Sequence, residues 1–297
     1  MRVLHFSDVH VDVPIWRWPV GEMWNKRLVG AANLILRRRR HFKDARAKLA
    51  QLAEFAERER VDLAICTGDY TALGTVPELE AARAAIAGLT RRPRGFVTVP
   101  GNHDLYLPDT VADGRFDRIF GDLLGTDWPE RAVDGIYPAV RLYDDHFAVV
   151  AVNSARPNPP IMRSSGRIPE AQLAALAELL AAPELAARTV FVITHYAPRR
   201  RDGTPDRFDH GLENAEELLA ACAAAPARTA LLHGHIHWRY HLKLPDIVPH
   251  LFGAGSTTCG GREGLWLFDV SPEGVRATPG GYHDGDYRLE GATPVSF

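Results

Sequence analysis

The chain has 297 residues, 46% hydrophobic and 24% charged, with a formal net charge of −2; this is enough apolar material for a large core, and a single domain over 1–297 is expected. No run of eighteen apolar residues occurs and the first residues pass straight into a polar motif, so neither a membrane-spanning helix nor a cleavable leader is indicated, and a cytoplasmic protein is expected. Cys66, Cys222 and Cys259 are odd in number and lack CxxC spacing, which argues against a disulfide framework or zinc knuckle and leaves buried reduced thiols.

In chain order, the first apolar strand run is residues 3–6, ending beside Asp8-Val9-His10. Residues 15–40 then interleave tryptophans and aliphatics with cations, from Trp16-Arg17-Trp18 through Trp24-Asn25-Lys26-Arg27 to Arg37-Arg38-Arg39-Arg40. Between Ile15 and Lys48 there are ten Lys/Arg against two acids, while the rest of the chain has 25 basic and 35 acidic residues. Such a split marks a surface for an anionic partner. Two readings of this basic amphipathic insertion stand together. It is a monotopic element in peripheral contact with the inner face of a membrane, or a cap whose apolar face closes over the active site or the core while its arginines face water. A nucleic-acid track is disfavoured by the acidity of the remaining chain.

Helical periodicity follows at residues 41–59, 77–90, 169–181 and 214–223, alternating with strand runs at 63–66, 95–99, 147–152, 189–193 and 229–232. That alternation predicts an α/β layered architecture with buried central strands. Later, residues 247–252, 265–270 and the end of the chain read as strands parted by turns, expected to form a second, more antiparallel sheet packed on the first.

Nearly every strand run ends beside a polar motif: Asp8-Val9-His10, Gly68-Asp69, Gly101-Asn102-His103-Asp104, Thr194-His195-Tyr196 and Gly234-His235-Ile236-His237. Ligands at the carboxyl ends of strands sit on loops held by a rigid sheet. Mixed imidazole, amide and carboxylate donors suit Mn²⁺, Fe²⁺ or Zn²⁺. Two such ions about 3.5–4 Å apart bind both oxygens of a phosphoester, activate water and offset the charge of an in-line displacement. His233, directly after its strand run, reads as a structural histidine, and His5, within a strand run, as a support for the ligands or a merely buried ring.

Taken in this order, the motifs resemble the calcineurin-like metallophosphoesterase family, and the matching positions from Asp8 to His237 span about three quarters of the chain. The resemblance implies a four-layer αββα sandwich of two mixed β-sheets flanked by helices, and a pair of divalent metal ions. It assigns Asp8, His10 and His237 to one metal, Asn102, His195 and His235 to the other, and Asp69 as the bridging carboxylate. His103 would face substrate as a proton donor, with Asp104 orienting it.

Departures narrow the reading. The protein Ser/Thr phosphatase pattern Gly-Asp-x-x-Asp-Arg-Gly is replaced by Gly68-Asp69-Tyr70-Thr71-Ala72-Leu73-Gly74, and the tyrosine that binds ferric iron in purple acid phosphatases is replaced by Ala72. What remains resembles bacterial phosphodiesterases and pyrophosphohydrolases. A lipid-linked or membrane-proximal phosphoester substrate is expected, with a soluble cyclic-nucleotide phosphodiesterase as the alternative, then a nuclease, then a non-catalytic scaffold. Arg163 and Arg167, and Arg199 with its neighbours Arg200 and Arg201 just after His195, lie where a further phosphate could be clamped, solvated loop charges being the plain reading of any one of them.

Overall fold

Side chains alternate across a strand, so a strand that is apolar at nearly every position must be covered on both faces. β1 (Arg2–Phe6), β2 (Leu63–Cys66) and β3 (Phe96–Thr98) have this character and lie parallel to one another. They are seen in a computed structural model that describes every residue except Lys43, and every side chain but those of Lys43 and residues 37–40. The side chains of the arginine run in the insertion therefore lie outside the described part.

A second sheet holds β4 (Ala139–Tyr143), β5 (Phe147–Ala151), β6 (Thr189–Ile193), β7 (Thr229–His233), β8 (Arg239–Leu242) and β9 (His250–Ala254), in the order β4-β5-β6-β7-β9-β8. β5, β6, β7 and β9 are parallel, while β4 and β8 close the edges antiparallel. The first sheet is completed by β10 (Leu265–Ser271), β11 (Gly274–His283), β12 (Asp286–Leu289) and β13 (Val295–Ser296), with β10 antiparallel to β1. Both sheets are mixed.

This corrects one expectation. The late strands do not form a sheet of their own: β9 joins β7 in the second sheet, and β10 pairs with the free side of β1 in the first. The central strands built by the first two thirds of the chain leave backbone groups that need partners, and the late strands satisfy them.

Three apolar layers follow from the alternation. Val3, Leu63 and Ile65 meet Val149, Phe191 and Ile193 between the sheets. Leu4, Ala64 and Cys66 turn the other way, onto Leu49, Leu52 and Phe55 of the helix Ala45–Arg58 and Leu79 of Val76–Ala85. Ala148, Val150, Val190 and Val192 cover the opposite face against Leu173 and Leu176 of Glu170–Leu180 and Leu218 of Ala215–Ala221. The result is the αββα sandwich. All three cysteines are free; Cys66 and Cys222 are buried, Cys259 only half so.

The insertion forms the helix Lys26–Asn33 and a π-helical turn, Leu34–Arg38. Its inner face is anchored: Met23, Ala31 and Leu34 pack on Leu73, Tyr106 and Leu107. Arg27 is fully buried, 2.8 Å from Asp109, and its Nε donates to the Leu73 carbonyl at 3.0 Å. Its outer face leaves Trp16 and Trp24 exposed at 85% and 78%. No helix among the described residues is long and apolar enough to cross a membrane.

Candidate metal centre

Each candidate ligand stands just beyond the carboxyl end of a parallel strand: Asp8 and His10 after β1, Asp69 after β2, Asn102 after β3, His195 after β6, and His235 and His237 after β7. Five of them adopt left-handed backbone conformations, with φ of 55° at Asp8, 41° at His10, 59° at Asp69, 69° at His235 and 52° at His237. Non-glycine residues rarely occupy this region, and strain of this kind persists only where the surroundings over-determine it. Here they do. The amide of His10 donates to the Asp69 carbonyl, that of Asp8 to Gly68, and that of Gly234 to His195. A Cβ on Gly234 would lie 1.9 Å from Ser7 Oγ and 2.4 Å from Asp8 Oδ2, so only glycine lets the β7 loop approach.

A clamp from outside the motifs completes the support. Three consecutive hydroxyls after β9 donate to the first loop, each at 2.7 Å: Ser256 Oγ to the Asp8 carbonyl, Thr257 Oγ1 to Ser7 and Thr258 Oγ1 to Val9. The run Ser256-Thr257-Thr258 directly after Gly255 was the available signal, but nothing in the sequence says which carbonyls it meets.

The ring nitrogens are sorted by their partners. Nδ1–H of His10 donates to the Thr71 carbonyl at 2.9 Å, and Nδ1–H of His195 donates to Thr67 at 2.7 Å. Their Nε2 lone pairs then point inward. Nε2 of His10 lies 3.1 Å from Nε2 of His237, 3.7 Å from Asp69 and 4.0 Å from Asp8. Nε2 of His195 lies 3.1 Å from Asn102 Oδ1 and 3.5 Å from Asp69 Oδ1. His235 donates through Nε2–H to the His210 carbonyl at 2.9 Å, leaving its Nδ1 lone pair 3.0 Å from the same Asn102 oxygen. Burial holds His195 and His235 below the ordinary imidazole value, hence neutral. Burial works against ionisation of Asp8, yet His237 at 3.2 Å draws its carboxyl below the usual range.

The inward lone pairs of His10, His195 and His235 thus face carboxylate and amide oxygens across two neighbouring clusters joined by Asp69. Such an arrangement is repulsive unless cations lie among the donors, and hard oxygen with imidazole nitrogen is the donor set of a divalent metal. One group of four, Asp8, His10, Asp69 and His237, brings its donor atoms within 4.8 Å of one another. A second group within that distance, Asp206, His210 and His235, includes two residues the motifs did not single out. Nδ1 of His210 sits 2.7 Å from Asp206 Oδ2, and its ring lies against His235 at 4.3 Å.

The sites open into a cavity of about 740 Å³, lined among others by Asp69, Asn102, His103, His235 and His237. His103 stacks on Tyr106, its amide donates to Asp69 Oδ1 at 2.8 Å, and its Nδ1–H donates to the Ala72 carbonyl at 2.7 Å. Asp104, expected to orient that ring, serves otherwise. Its Oδ1 accepts from the amides of Tyr70 and Thr71 and from Thr71 Oγ1, and its Oδ2 accepts from the amide of Gly101. It ties the Asp69 loop to the Asn102 loop. The arginines also need correction. Arg163 lines the cavity, although its guanidinium pairs with Glu213. Arg167 and Arg199 lie off the cavity wall, held by Glu170 at 3.0 Å and Glu216 at 2.7 Å on neighbouring helices. His5 and His233 are fully buried, and Nε2 of His5 lies 3.1 Å from Thr67 Oγ1.

The pattern of calcineurin-like phosphoesterases matches residues 1–239. The chain belongs to that family. No curated protein sequence matches this phosphoesterase. Among solved structures, a dimetal phosphatase from Danio rerio superposes with a TM-score of 0.68 at 13% identity, covering 100% of this chain and 98% of that one. The protein TT1561 of Thermus thermophilus gives 0.53 at 13% identity, covering 93% and 97%. The purple acid phosphatase PPD1 from yellow lupin gives 0.61 at 11% identity, over 97% of this phosphoesterase and 52% of that chain. These likenesses are of fold.

Proposed function

We propose that this phosphoesterase is a two-metal phosphohydrolase acting on a phosphodiester or diphosphate in a lipid-linked or membrane-proximal substrate. The observation that carries the hydrolase reading is the convergence of seven residues from five strand ends, with ring lone pairs and carboxylate oxygens turned toward one another. Bound there, divalent cations lower the pKa of water and offset the charge on the phosphoryl oxygens. Asp8, His10 and His237 would hold one, Asn102, His195 and His235 the other, and Asp69 both.

The protein's own groups do the rest. His103 stands on the cavity wall with its orientation fixed by Ala72 and Tyr106, and donates a proton to the departing oxygen. Lys26 donates to the carbonyls of Asn158 and Arg163 at 2.6 and 2.8 Å, tying the insertion to the loop that carries Ile161 and Met162 on the cavity rim. Those two side chains are 57% and 86% exposed, and on the insertion Trp16 and Trp24 are exposed as well. Exposed apolar side chains beside a polar, arginine-lined cavity suit a substrate with a phosphate head and a hydrocarbon body.

Metal-stripped protein with Mn²⁺, Zn²⁺ or Fe²⁺ restored should hydrolyse bis-p-nitrophenyl phosphate in preference to p-nitrophenyl phosphate. Preference for the monoester would displace the diesterase reading in favour of a phosphatase. Flotation with anionic vesicles should require residues 15–40; a deletion variant that floats equally and retains activity would sink the membrane reading. The second reading is a soluble cyclic-nucleotide phosphodiesterase. Lys26 and Asn33 of the insertion line the cavity, which favours a lid.

A further inference from the structure

Trp238 follows His237 directly, and two guanidinium groups stand against its indole: Arg201 at 4.8 Å and Arg262 at 4.9 Å from the ring centroid. All three residues line the cavity. Arg163, Arg199 and Arg207 each hold a carboxylate. Among the described residues, Arg201 and Arg262 hold none, and their contact is the shared ring. Attraction to the face of the indole holds each cation near it, but the two cations repel one another.

Both arginines project from closed turns. The amide of Arg200 donates to the Thr204 carbonyl and that of Gly203 to Arg200, while Tyr240 Oη–H donates to the Arg199 carbonyl. On the other side, the amide of Arg262 donates to Cys259 and its carbonyl accepts from Ser256. Two guanidinium groups without a carboxylate partner among the described residues, both held against one ring on the cavity wall, offer the charge and bidentate donors that a phosphate takes.

We propose that Arg201 and Arg262, set about Trp238, form a second anion subsite that takes a phosphate of the substrate other than the one attacked. This rests on the phosphohydrolase reading and narrows its substrate to molecules bearing at least two phosphoryl groups, one of them outside the scissile position.

The test is calorimetric titration of the metal-replete protein with thymidine 3′,5′-bisphosphate and with thymidine 5′-monophosphate, which differ by one phosphate. The bisphosphate binds about tenfold more tightly to the wild type, and the ratio falls toward one in R201A/R262A. In R201K/R262K, which keeps the charge but not the fork, part of the ratio returns. Equal affinities in the wild type, or a ratio that survives R201A/R262A, overturn the subsite. A lipid headgroup phosphate is the other source of the same chemistry. If R201A/R262A loses flotation on phosphatidylglycerol vesicles while keeping the nucleotide ratio, the arginines belong to a membrane contact and the subsite is overturned. Because the titration needs no turnover, a metal-replete protein inert toward bis-p-nitrophenyl phosphate, thymidine 3′,5′-bisphosphate and nucleoside diphosphate esters alike that still shows the ratio would remove the hydrolase reading and leave the anion subsite standing.

Discussion

The Nε2 atoms of His10 and His237 face each other at 3.1 Å, with Asp8 Oδ1 3.2 Å from the second. Since His10 is committed to Thr71 through Nδ1–H, its inward nitrogen carries a lone pair, and a cation held among these donors would complete the cluster. Chelation should therefore lower the thermal midpoint, and excess Mn²⁺ or Zn²⁺ should restore about 3–4 kcal/mol at 100 to 1,000 times its dissociation constant. His10→Ala and His237→Ala should each reduce bound metal, read by elemental analysis, with turnover down at least about 100-fold. Full metal occupancy in both variants would contradict the assignment.

For His103 the expected pattern is the opposite. His103→Ala should leave metal content near that of the wild type and lower kcat by about 100-fold or more. Loss of metal in this variant would make His103 a ligand and refute its role as proton donor.

Asp104 gathers three backbone amides from two loops, so its removal is a structural injury before it is a chemical one. Asp104→Ala leaves the amides of Tyr70, Thr71 and Gly101 without their acceptor, at a cost of about 3 kcal/mol or more. Urea unfolding should show that loss together with a fall in activity. Activity lost at unchanged stability would restore the expectation that Asp104 acts through His103.

Glu78 gives a pH signature away from the candidate metal centre. It is fully buried, and burial raises its carboxyl from 4.5 to about 7 against the opposing hydrogen bonds from Thr75 and Leu73. Below 4.5 the acid is neutral in both folded and unfolded chains. Between 4.5 and 7 the folded chain keeps a proton that the unfolded chain has released, so stability from this group declines as pH rises and is lost above 7. The decline amounts to on the order of 3 kcal/mol. Glu78→Gln should flatten the fall in unfolding free energy between about pH 5 and pH 7 by a comparable amount; an identical pH profile would rule out the raised acid.

The layers of the fold were legible because the strand runs are short, apolar and alternate: Leu63 and Ile65 face one side, Ala64 and Cys66 the other. The candidate ligands were legible because each follows such a run within a few residues. Pairing of β10 with β1 was not, since it joins residues more than 250 positions apart and no local pattern encodes it. Arg27 read as one of the insertion's cations, facing either headgroups or water, but its partner Asp109 lies 82 positions away. Asp206 and His210 stand in a loop rich in turn formers, where an Asp and a His four apart are unremarkable until the fold brings His235 against them.

The family's sequence pattern matches as far as residue 239, yet the loop carrying Asp8 is fastened by hydroxyls at 256–258, and β1 is flanked by a strand that begins at 265. The tail is therefore a buttress for the reacting groups. Shortening the chain at the family boundary would withdraw both the strand beside β1 and the three donors that keep Asp8 in its left-handed turn, so the smallest active fragment extends well past the last of its signature histidines.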